Sequence, residues 1–261
     1  MILAGYNPLY SVAGLMIGML VGLTGVGGGS LMTPLLVILF NFHPVTAVGT
    51  DLLYASATKT VGTGVHGLNR TVDWRVVRLL SIGSMPATIM TLLVLGFAGS
   101  HYQQTGKAVT VILGVTLILT AIAMVFRRVI VARFAPVMDQ IQPGRIAALT
   151  ISLGVLLGVL VALTSVGAGA IGMTALLALY PKLPTNRLVG SDIAHAVPLT
   201  LIAGIGHWLM GAVDFSLLGA LLVGSVPGII IGSLLSTRVP DGVLRAILAV
   251  TLIIVGAKLL F

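Results

Sequence analysis

The sequence predicts an all-α polytopic membrane protein made of two inverted repeats, each a glycine-broken re-entrant helical hairpin followed by three transmembrane helices. Three observations lead to this fold class: an apolar composition, a glycine-rich segment that occurs twice, and an asymmetric placement of basic residues. Of the 261 residues, 57% are hydrophobic and only 8% are charged, and the mean hydropathy is +1.16. Such a chain has too little polar surface to cover a globule in water. It is therefore expected to be an integral membrane protein.

Six apolar segments each have about the 20 residues that a helix needs to cross a bilayer. They are residues 45–66, 76–98, 107–126, 188–210, 216–236 and 243–261. Residues 1–20 contain no Lys or Arg, so they lack the basic region of a signal peptide and the first helix is expected to be retained. The chain contains no cysteine, which excludes disulfides, thiolate metal sites and cysteine catalysis.

Two further apolar segments, 9–40 and 146–180, contain the glycine-rich sequences GLTGVGGGS (22–30) and ALTSVGAGA (162–170), which align with each other without a gap. Each glycine inside a helix costs about 1 kcal/mol relative to alanine. Both segments should therefore interrupt a helix and form a hairpin. The arms of the first hairpin, 9–24 and 30–40, would be about 16 to 24 Å long, enough to reach the middle of the bilayer.

The duplication extends beyond the glycines. Several later motifs of the two halves also align when the offset between the halves is increased by one residue. This offset aligns Val48-Gly-Thr-Asp51 with Val189-Gly-Ser-Asp192, His66 with His207, Val72-Asp-Trp74 with Val213-Asp-Phe215, and Gly83-Ser-Met-Pro86 with Gly224-Ser-Val-Pro227. This predicts a first repeat over 1–126 and a second over 146–261. Residues 127–145 would form a basic cytoplasmic linker with a Pro143-Gly144 turn.

The basic residues favour an inverted relation between the repeats. If both glycine-broken segments crossed the membrane, the loops would divide the basic residues eight to five. If both are re-entrant hairpins, eleven basic residues lie on one side and only Lys107 and Lys258 on the other. The second division is the one that the positive-inside rule requires. It places both termini on the outer side of the membrane.

Hairpins that enter from opposite faces would bring their glycine tips together near the midplane, where backbone groups must line a cavity or be buried in protein. Helices beginning near Ser30 and Ala170 would point free N–H groups and positive dipole ends at that place, which suits an anion. The tip residues predicted to bind it are Thr24, Gly27, Gly28, Gly29, Ser30, Thr164, Gly167, Ala168 and Gly169. The alternative is that the glycines only allow close helix packing. A nucleotide site is not expected, because no strand precedes the glycines and no Lys-Ser/Thr follows them.

Lys59 lies about fifteen residues into its span, where a charge costs about 2.5 to 3.5 kcal/mol. It could complete the anion site, and since its repeat partner is Thr200 the site would be asymmetric. The alternative is a lysine that extends along its stem to water.

Asp51, Asp192 and His195 are the candidates for proton or cation coupling. His195 lies one helical turn from Asp192, and histidine titrates near neutral pH. The alternative for both aspartates is helix capping, since each follows Thr or Ser early in a span. No pair of histidines has the spacing of metal ligands.

The sequence Gly22-Leu-Thr-Gly-Val-Gly-Gly-Gly29, the sequence Ala47-Val-Gly-Thr50 and their weaker second copies resemble the TauE/SafE sulfite exporter family over nearly the whole chain. The resemblance implies a transporter of sulfite, organosulfonates or related small anions in the bacterial cytoplasmic membrane, without a cofactor. The second copy departs from the motif: Ser165, Ala168 and Ala170 replace Gly25, Gly28 and Ser30.

The expected partners are a small inorganic or organosulfur anion and membrane lipid, and a homodimer is left open. Nucleic acid is not expected, because the basic residues are scattered among short loops. A passive anion channel of the same architecture is the main alternative function. An intramembrane aspartyl protease would need two adjacent carboxylates, whereas Asp51 and Asp192 would enter from opposite faces, so no enzymatic activity is expected.

Overall fold

The computed structural model describes residues 8–24, 29–68, 71–97, 106–235 and 241–260, and within these ranges the regular structure is entirely helical. The all-α class is therefore confirmed for this part of the chain. The helices are α1 (Pro8–Thr24), α2 (Gly29–Ile38), α3 (Pro44–Leu68), α4 (Trp74–Phe97), α5 (Gly106–Val125), α6 (Arg127–Met138), α7 (Pro143–Thr164), a π-helix (Ala168–Gly172), α8 (Met173–Leu179), α9 (Thr185–Leu209), α10 (Phe215–Leu235) and α11 (Asp241–Leu260).

Five of the described helices are long and apolar enough to cross a membrane. They are α4, α5 from Lys107 onward, α7, α9 and α10 as far as Gly232. Their lipid-compatible surface is evident in large exposed side chains such as Phe97, Ile122 and Ile230. These observations agree with an integral membrane protein.

The first glycine segment separates two helices that run antiparallel. Helix α1 ends at Thr24 and α2 begins at Gly29. The ring of Tyr10, near the start of α1, packs edge-on against Phe40 and Phe42, just after α2, at centroid distances of 5.0 and 5.7 Å. The two ends of the hairpin therefore meet.

The second segment forms a hairpin in the same way. Leu160 lies nearest to Gly167, Leu157 lies against Gly172, and Thr150 shares a 2.7 Å hydrogen bond with the Tyr180 hydroxyl. In these three pairs, the residue of α7 lies closer to the start of the helix as its partner lies further along the chain. The segment from the π-helix to the end of α8 therefore runs antiparallel to α7.

Helix α7 is longer than a hairpin arm that stops at the midplane. Its 22 residues correspond to about 33 Å. The return arm ends beside Thr150, however, so the hairpin itself occupies only the part of α7 from Thr150 to Thr164, or about 21 Å.

The π-helix accounts for the change in alignment register between the two halves. A π-helix adds one residue to a helical turn. Ala170 still aligns with Ser30, but Met173-Thr174 align with Met32-Thr33 only when the register is one residue longer. The extra residue therefore falls within the π-helix. The residues after the insertion therefore return to the same helical position as their counterparts in the first half.

Contacts between helices occur in matching pairs in the two halves. Helix α1 packs on α10 and α4 on α7. Gly14 packs against the Leu221 carbonyl, and Gly154 packs against the Leu80 carbonyl, which are the corresponding positions. Small residues at such crossings let two backbones approach closely.

Helices α3 and α9 occupy corresponding positions in the two halves and pack antiparallel. Gly49, near the start of α3, lies against Ala212, just after α9, while Gly190, near the start of α9, lies against Thr71, just after α3. The same reciprocity holds for two hydrogen bonds, in which Asp214 N–H donates to Thr50 Oγ1 (3.0 Å) and Asp73 N–H donates to Ser191 Oγ (2.8 Å).

The predicted linker is largely helical. Residues Arg127–Met138 form α6, which has no buried residue. The prediction of a Pro143-Gly144 turn is wrong, because Pro143 is the first residue of α7. Proline suits the first position of a helix, where its missing N–H needs no partner.

Candidate functional site

Asp51 is fully buried where the two hairpins approach each other. Its Oδ2 accepts hydrogen bonds from the Thr33 N–H (3.2 Å) and hydroxyl (2.5 Å) of α2. Ser165, at the tip of the second hairpin, also interacts with this carboxyl, although Asp51 Oδ1 and Ser165 Oγ make no hydrogen bond of standard geometry within the described residues. The capping alternative is wrong for Asp51, because α3 begins seven residues earlier, at Pro44.

Asp192 is buried against the π-helix. A Cβ placed on Gly172 would lie 3.0 Å from Asp192 Oδ1, so the glycine leaves room for the carboxyl. This oxygen has no hydrogen-bond partner in the described ranges. Asp192 does not cap α9, whose N-cap residue is Pro184.

His195 lies one turn after Asp192 on α9 and is completely buried. Its Nε2 lies 2.8 Å from Ser84 Oγ of α4, while its Nδ1 has no partner among the residues described. The corresponding residues in the first half are Tyr54 and Ser225 of α10, which lie near each other, but the Tyr54 hydroxyl makes no hydrogen bond within the described residues. The two halves thus place different titratable groups opposite equivalent serines.

Lys59 lies on α3 within electrostatic reach of the polar groups of both halves. Asp51 and Asp192 both act on its ammonium, and Lys59 in turn acts on His195. Its side chain is half-buried. Across the described ranges, no carboxylate oxygen lies within the 4.0 Å of an ion pair from Lys59. Lys59 is therefore a half-buried cation without a direct counter-ion in this part of the chain.

The predicted residues of the first tip lie at the edge of what the structure describes. Thr24 ends α1, and Gly29 and Ser30 open α2. Gly27 and Gly28 lie outside the described residues. The prediction that a helix begins near Ser30 agrees with the observed start at Gly29.

The second tip is described completely. The Thr164 hydroxyl donates to the Leu160 carbonyl (2.7 Å) and accepts from the Val166 N–H (3.2 Å), so it is used to close the end of α7. The π-helix begins with Ala168 and Gly169, and its first bonds run from the N–H groups of residues 171 and 172 to the Gly167 carbonyl. The N–H groups of residues 168–170 precede these bonds, as at any helix start.

Gly167→Ala is expected to destabilise the protein by about 1–2 kcal/mol, because Gly167 has φ 118°, where a side chain is strained. The nearest atom to an added Cβ would be 3.7 Å away, so the cost is conformational and not steric. Thermal unfolding in detergent measures it. Gly144→Ala is the control, since nothing lies within 4 Å of a Cβ there; equal melting temperatures for both variants would contradict the prediction.

In the part of the chain described, no group of three metal-binding side chains comes together. A cavity of about 190 Å³ lies at the base of the second hairpin, near the 2.6 Å ion pair of Lys182 with Asp139. It contains none of the residues predicted to bind the anion.

Asp51, Lys59, Asp192, His195 and the residues around them form a polar centre. It includes residues that were not predicted from the sequence as site residues: Thr33, Tyr54, Ser84, Ser165, Gly172 and Ser225. Thr33 could have been found from the Met-Thr pair repeated at 32–33 and 173–174, and Ser84 and Ser225 from the repeated Gly-Ser-x-Pro motif. The hydrogen bonds between Thr33 and Asp51 could not be predicted from any motif in the sequence.

Comparison with known proteins gives a consistent family. A family model described as sulfite exporter TauE/SafE matches residues 10–259. The probable membrane transporter protein YjnA of Bacillus subtilis is 40% identical over 209 residues, which cover 80% of this chain and 82% of YjnA. The probable membrane transporter protein MJ0441 of Methanocaldococcus jannaschii is 27% identical over 208 residues, or 77% of this chain and 72% of MJ0441. No solved structure gives a significant match. The chain belongs to the sulfite exporter TauE/SafE family of membrane transporters, as its glycine motifs predicted.

Proposed function

We propose that this protein is a secondary transporter that carries sulfite, an organosulfonate or a related small anion across the cytoplasmic membrane. The observation that carries the proposal is Lys59, a half-buried cation within an apolar helix, with no carboxylate oxygen within 4.0 Å among the described residues. A charge held inside a membrane protein in this way usually serves a transported or coupled ion.

The anion would be held between Lys59 and the hairpin tips. Ser165 precedes the π-helix and lies beside Asp51, and Asp51 contacts α2 through Thr33, so both hairpins meet this carboxyl. The helices that follow the two tips would present N–H groups and positive dipole ends to the anion, as discontinuous helices of other transporters do.

We further propose that the halves are inverted repeats with both termini outside. The antiparallel packing of α3 and α9 supports this orientation, because corresponding transmembrane helices run antiparallel when the axis relating them lies in the membrane plane. The hairpin geometry of both glycine segments supports re-entry, since each segment returns to the end where it began.

The topology predicts opposite labelling of two positions, since His43 follows the first hairpin and Asn186 follows the second, and both are exposed. The chain has no cysteine, so single His43→Cys and Asn186→Cys variants can be made directly. An impermeant maleimide should label the first from outside and the second only from inside. Labelling of both from one side would indicate parallel repeats.

Coupling to protons is proposed through one or more of Asp51, Asp192 and His195. All three are buried and titratable, and all are electrostatically linked to Lys59. Binding of an anion near Lys59 therefore changes the electrostatic environment of the groups that could bind a proton.

Counterflow in proteoliposomes tests the proposed function. Vesicles loaded with unlabelled sulfite should transiently concentrate external radiolabelled sulfite, and a panel of sulfonates should compete. A passive channel of the same architecture would equilibrate the label without an overshoot. The absence of any anion-dependent flux would contradict both functions.

A further inference from the structure

We propose that the proton coupled to transport binds only in the second half, at Asp192, with His195 as its relay and Ser84 orienting His195, whereas Asp51 is a structural link between α3 and the first hairpin. This inference rests on the proposed anion transport. It assigns different work to two aspartates that occupy corresponding positions in the repeats.

Asp51 is already engaged as an acceptor. One of its oxygens accepts both the N–H and the hydroxyl of Thr33, and hydrogen bonds to an ionised acceptor are about twice as strong as neutral ones. Adding a proton would weaken both bonds between α2 and α3. Asp51 is therefore suited to hold the first hairpin in place.

Asp192 has a different environment. Its Oδ1 faces Gly172 of the π-helix and, like Asp51 Oδ1, has no hydrogen-bond partner within the described ranges. The two carboxylates differ in the bonds that Thr33 donates to Asp51 Oδ2. Thr174, which corresponds to Thr33, donates its hydroxyl to the Ala170 carbonyl (2.7 Å) instead. Among the described residues, Asp192 therefore has no counterpart of the two hydrogen bonds that hold Asp51 as an acceptor, so it can take up a proton without weakening such bonds.

His195 gives Asp192 a neighbour that can pass a proton. Residues three apart lie on the same face of a helix, and the Nε2 of His195 is engaged with Ser84 at 2.8 Å. When Nε2–H donates to Ser84, Nδ1 carries a lone pair that accepts a proton from water on the aqueous side. The imidazolium then releases this proton to the Asp192 carboxylate, while Ser84 holds the ring through Nε2. The first half has Tyr54 at this position, and a tyrosine hydroxyl loses its proton only at high pH.

The charges around Asp192 make proton and anion binding favour each other. Lys59 and Arg127 are the cations that act on this carboxylate, Lys59 is also influenced by Asp51, and residues 146–179 of α7, the π-helix and α8 contain no titratable side chain. An ionised Asp192 competes with a bound anion for Lys59. Protonation converts the carboxylate to a neutral acid and removes that competition, so proton and anion bind together.

The test measures the affinity for methanesulfonate, a probe whose own charge is constant between about pH 5 and 8, where imidazoles and perturbed carboxyls titrate. In the purified wild-type protein, the Kd should rise about tenfold per pH unit above the titration midpoint, the slope for one linked proton. Asp192→Asn should bind at all pH values as tightly as the wild type does at acid pH. Asp51→Asn should keep the wild-type pH dependence, whatever its absolute affinity.

Two further variants separate the relay from a structural role. Gly172→Ala adds a methyl group beside Asp192 Oδ1, which disfavours the ionised carboxylate, so tight binding should extend to higher pH; this variant also serves if Asp192→Asn does not fold. His195→Gln should keep the pH dependence of Kd but slow the uptake driven by a pH gradient in proteoliposomes.

The outcomes distinguish the two proposals. If neither methanesulfonate, sulfite nor sulfate binds the folded wild type, the proposed anion transport is wrong and this inference falls with it. If an anion binds without pH dependence, the inference alone is overturned. The same follows if Asp51→Asn abolishes the pH dependence and Asp192→Asn retains it.

Discussion

Lys59→Met is expected to weaken anion binding roughly 10- to 150-fold, which corresponds to the loss of about 1.5–3 kcal/mol from a hydrogen bond to a charged group. The effect should be large because, among the described residues, Lys59 is the cation that interacts electrostatically with both Asp51 and Asp192. Isothermal titration with sulfite and with methanesulfonate measures it directly.

Two controls accompany this variant. Lys59→Arg should restore part of the affinity, because the charge is kept while its geometry changes. Lys107→Met removes an exposed lysine at the start of α5 and should leave the affinity unchanged. Equal affinities for wild type and Lys59→Met would favour the alternative in which Lys59 merely extends to water.

Gly224→Leu is expected to prevent α1 from packing on α10. A Cβ at Gly224 would overlap the Ser11 carbonyl, and a backbone cannot move aside as a flexible side chain can. Overpacking usually costs about 1–3 kcal/mol, and a leucine facing backbone should exceed this range. The melting temperature and the monodisperse fraction in detergent should both fall strongly.

Gly219→Leu is the matched control for this prediction, since it lies on the same helix with nothing within 4 Å of a Cβ. Leucine favours a helix over glycine by about 1 kcal/mol, so the control should be neutral or slightly stabilising. Gly83→Leu, the corresponding change at the α4–α7 crossing, should behave like Gly224→Leu. A stable, monodisperse Gly224→Leu protein would contradict the close approach of α1 and α10.

Composition and glycine spacing were sufficient to predict the helical membrane class. A helical membrane protein satisfies its backbone within each span, so hydropathy alone indicates where spans can lie, and breaks in a span require residues such as the glycines that separate α1 from α2. The alignment of the two halves could also be read from the sequence. The cause of the one-residue change in alignment register could not be read from the sequence, because the residues of the π-helix do not differ in type from those of an ordinary helix.

The polar centre was predicted less completely. Lys59, Asp51 and Asp192 are conspicuous because charges are rare in this chain. Their partners Thr33 and Ser84 are ordinary small polar residues, and only three-dimensional contact distinguishes them from others. The capping hypothesis failed because the helix starts were placed by hydropathy, whereas α9 begins at Thr185, in a polar stretch before the apolar segment.

The reciprocal packing of α1 with α10 and of α4 with α7 has an energetic consequence. If the two halves are the inverted repeats proposed above, exchanging their conformations would return nearly the same contacts, so the two forms would have nearly equal free energies. The positions at which the halves differ, such as Tyr54 against His195, would then determine which form is occupied at rest. A free-energy difference of about 1.4 kcal/mol from such positions changes the ratio of the two populations tenfold.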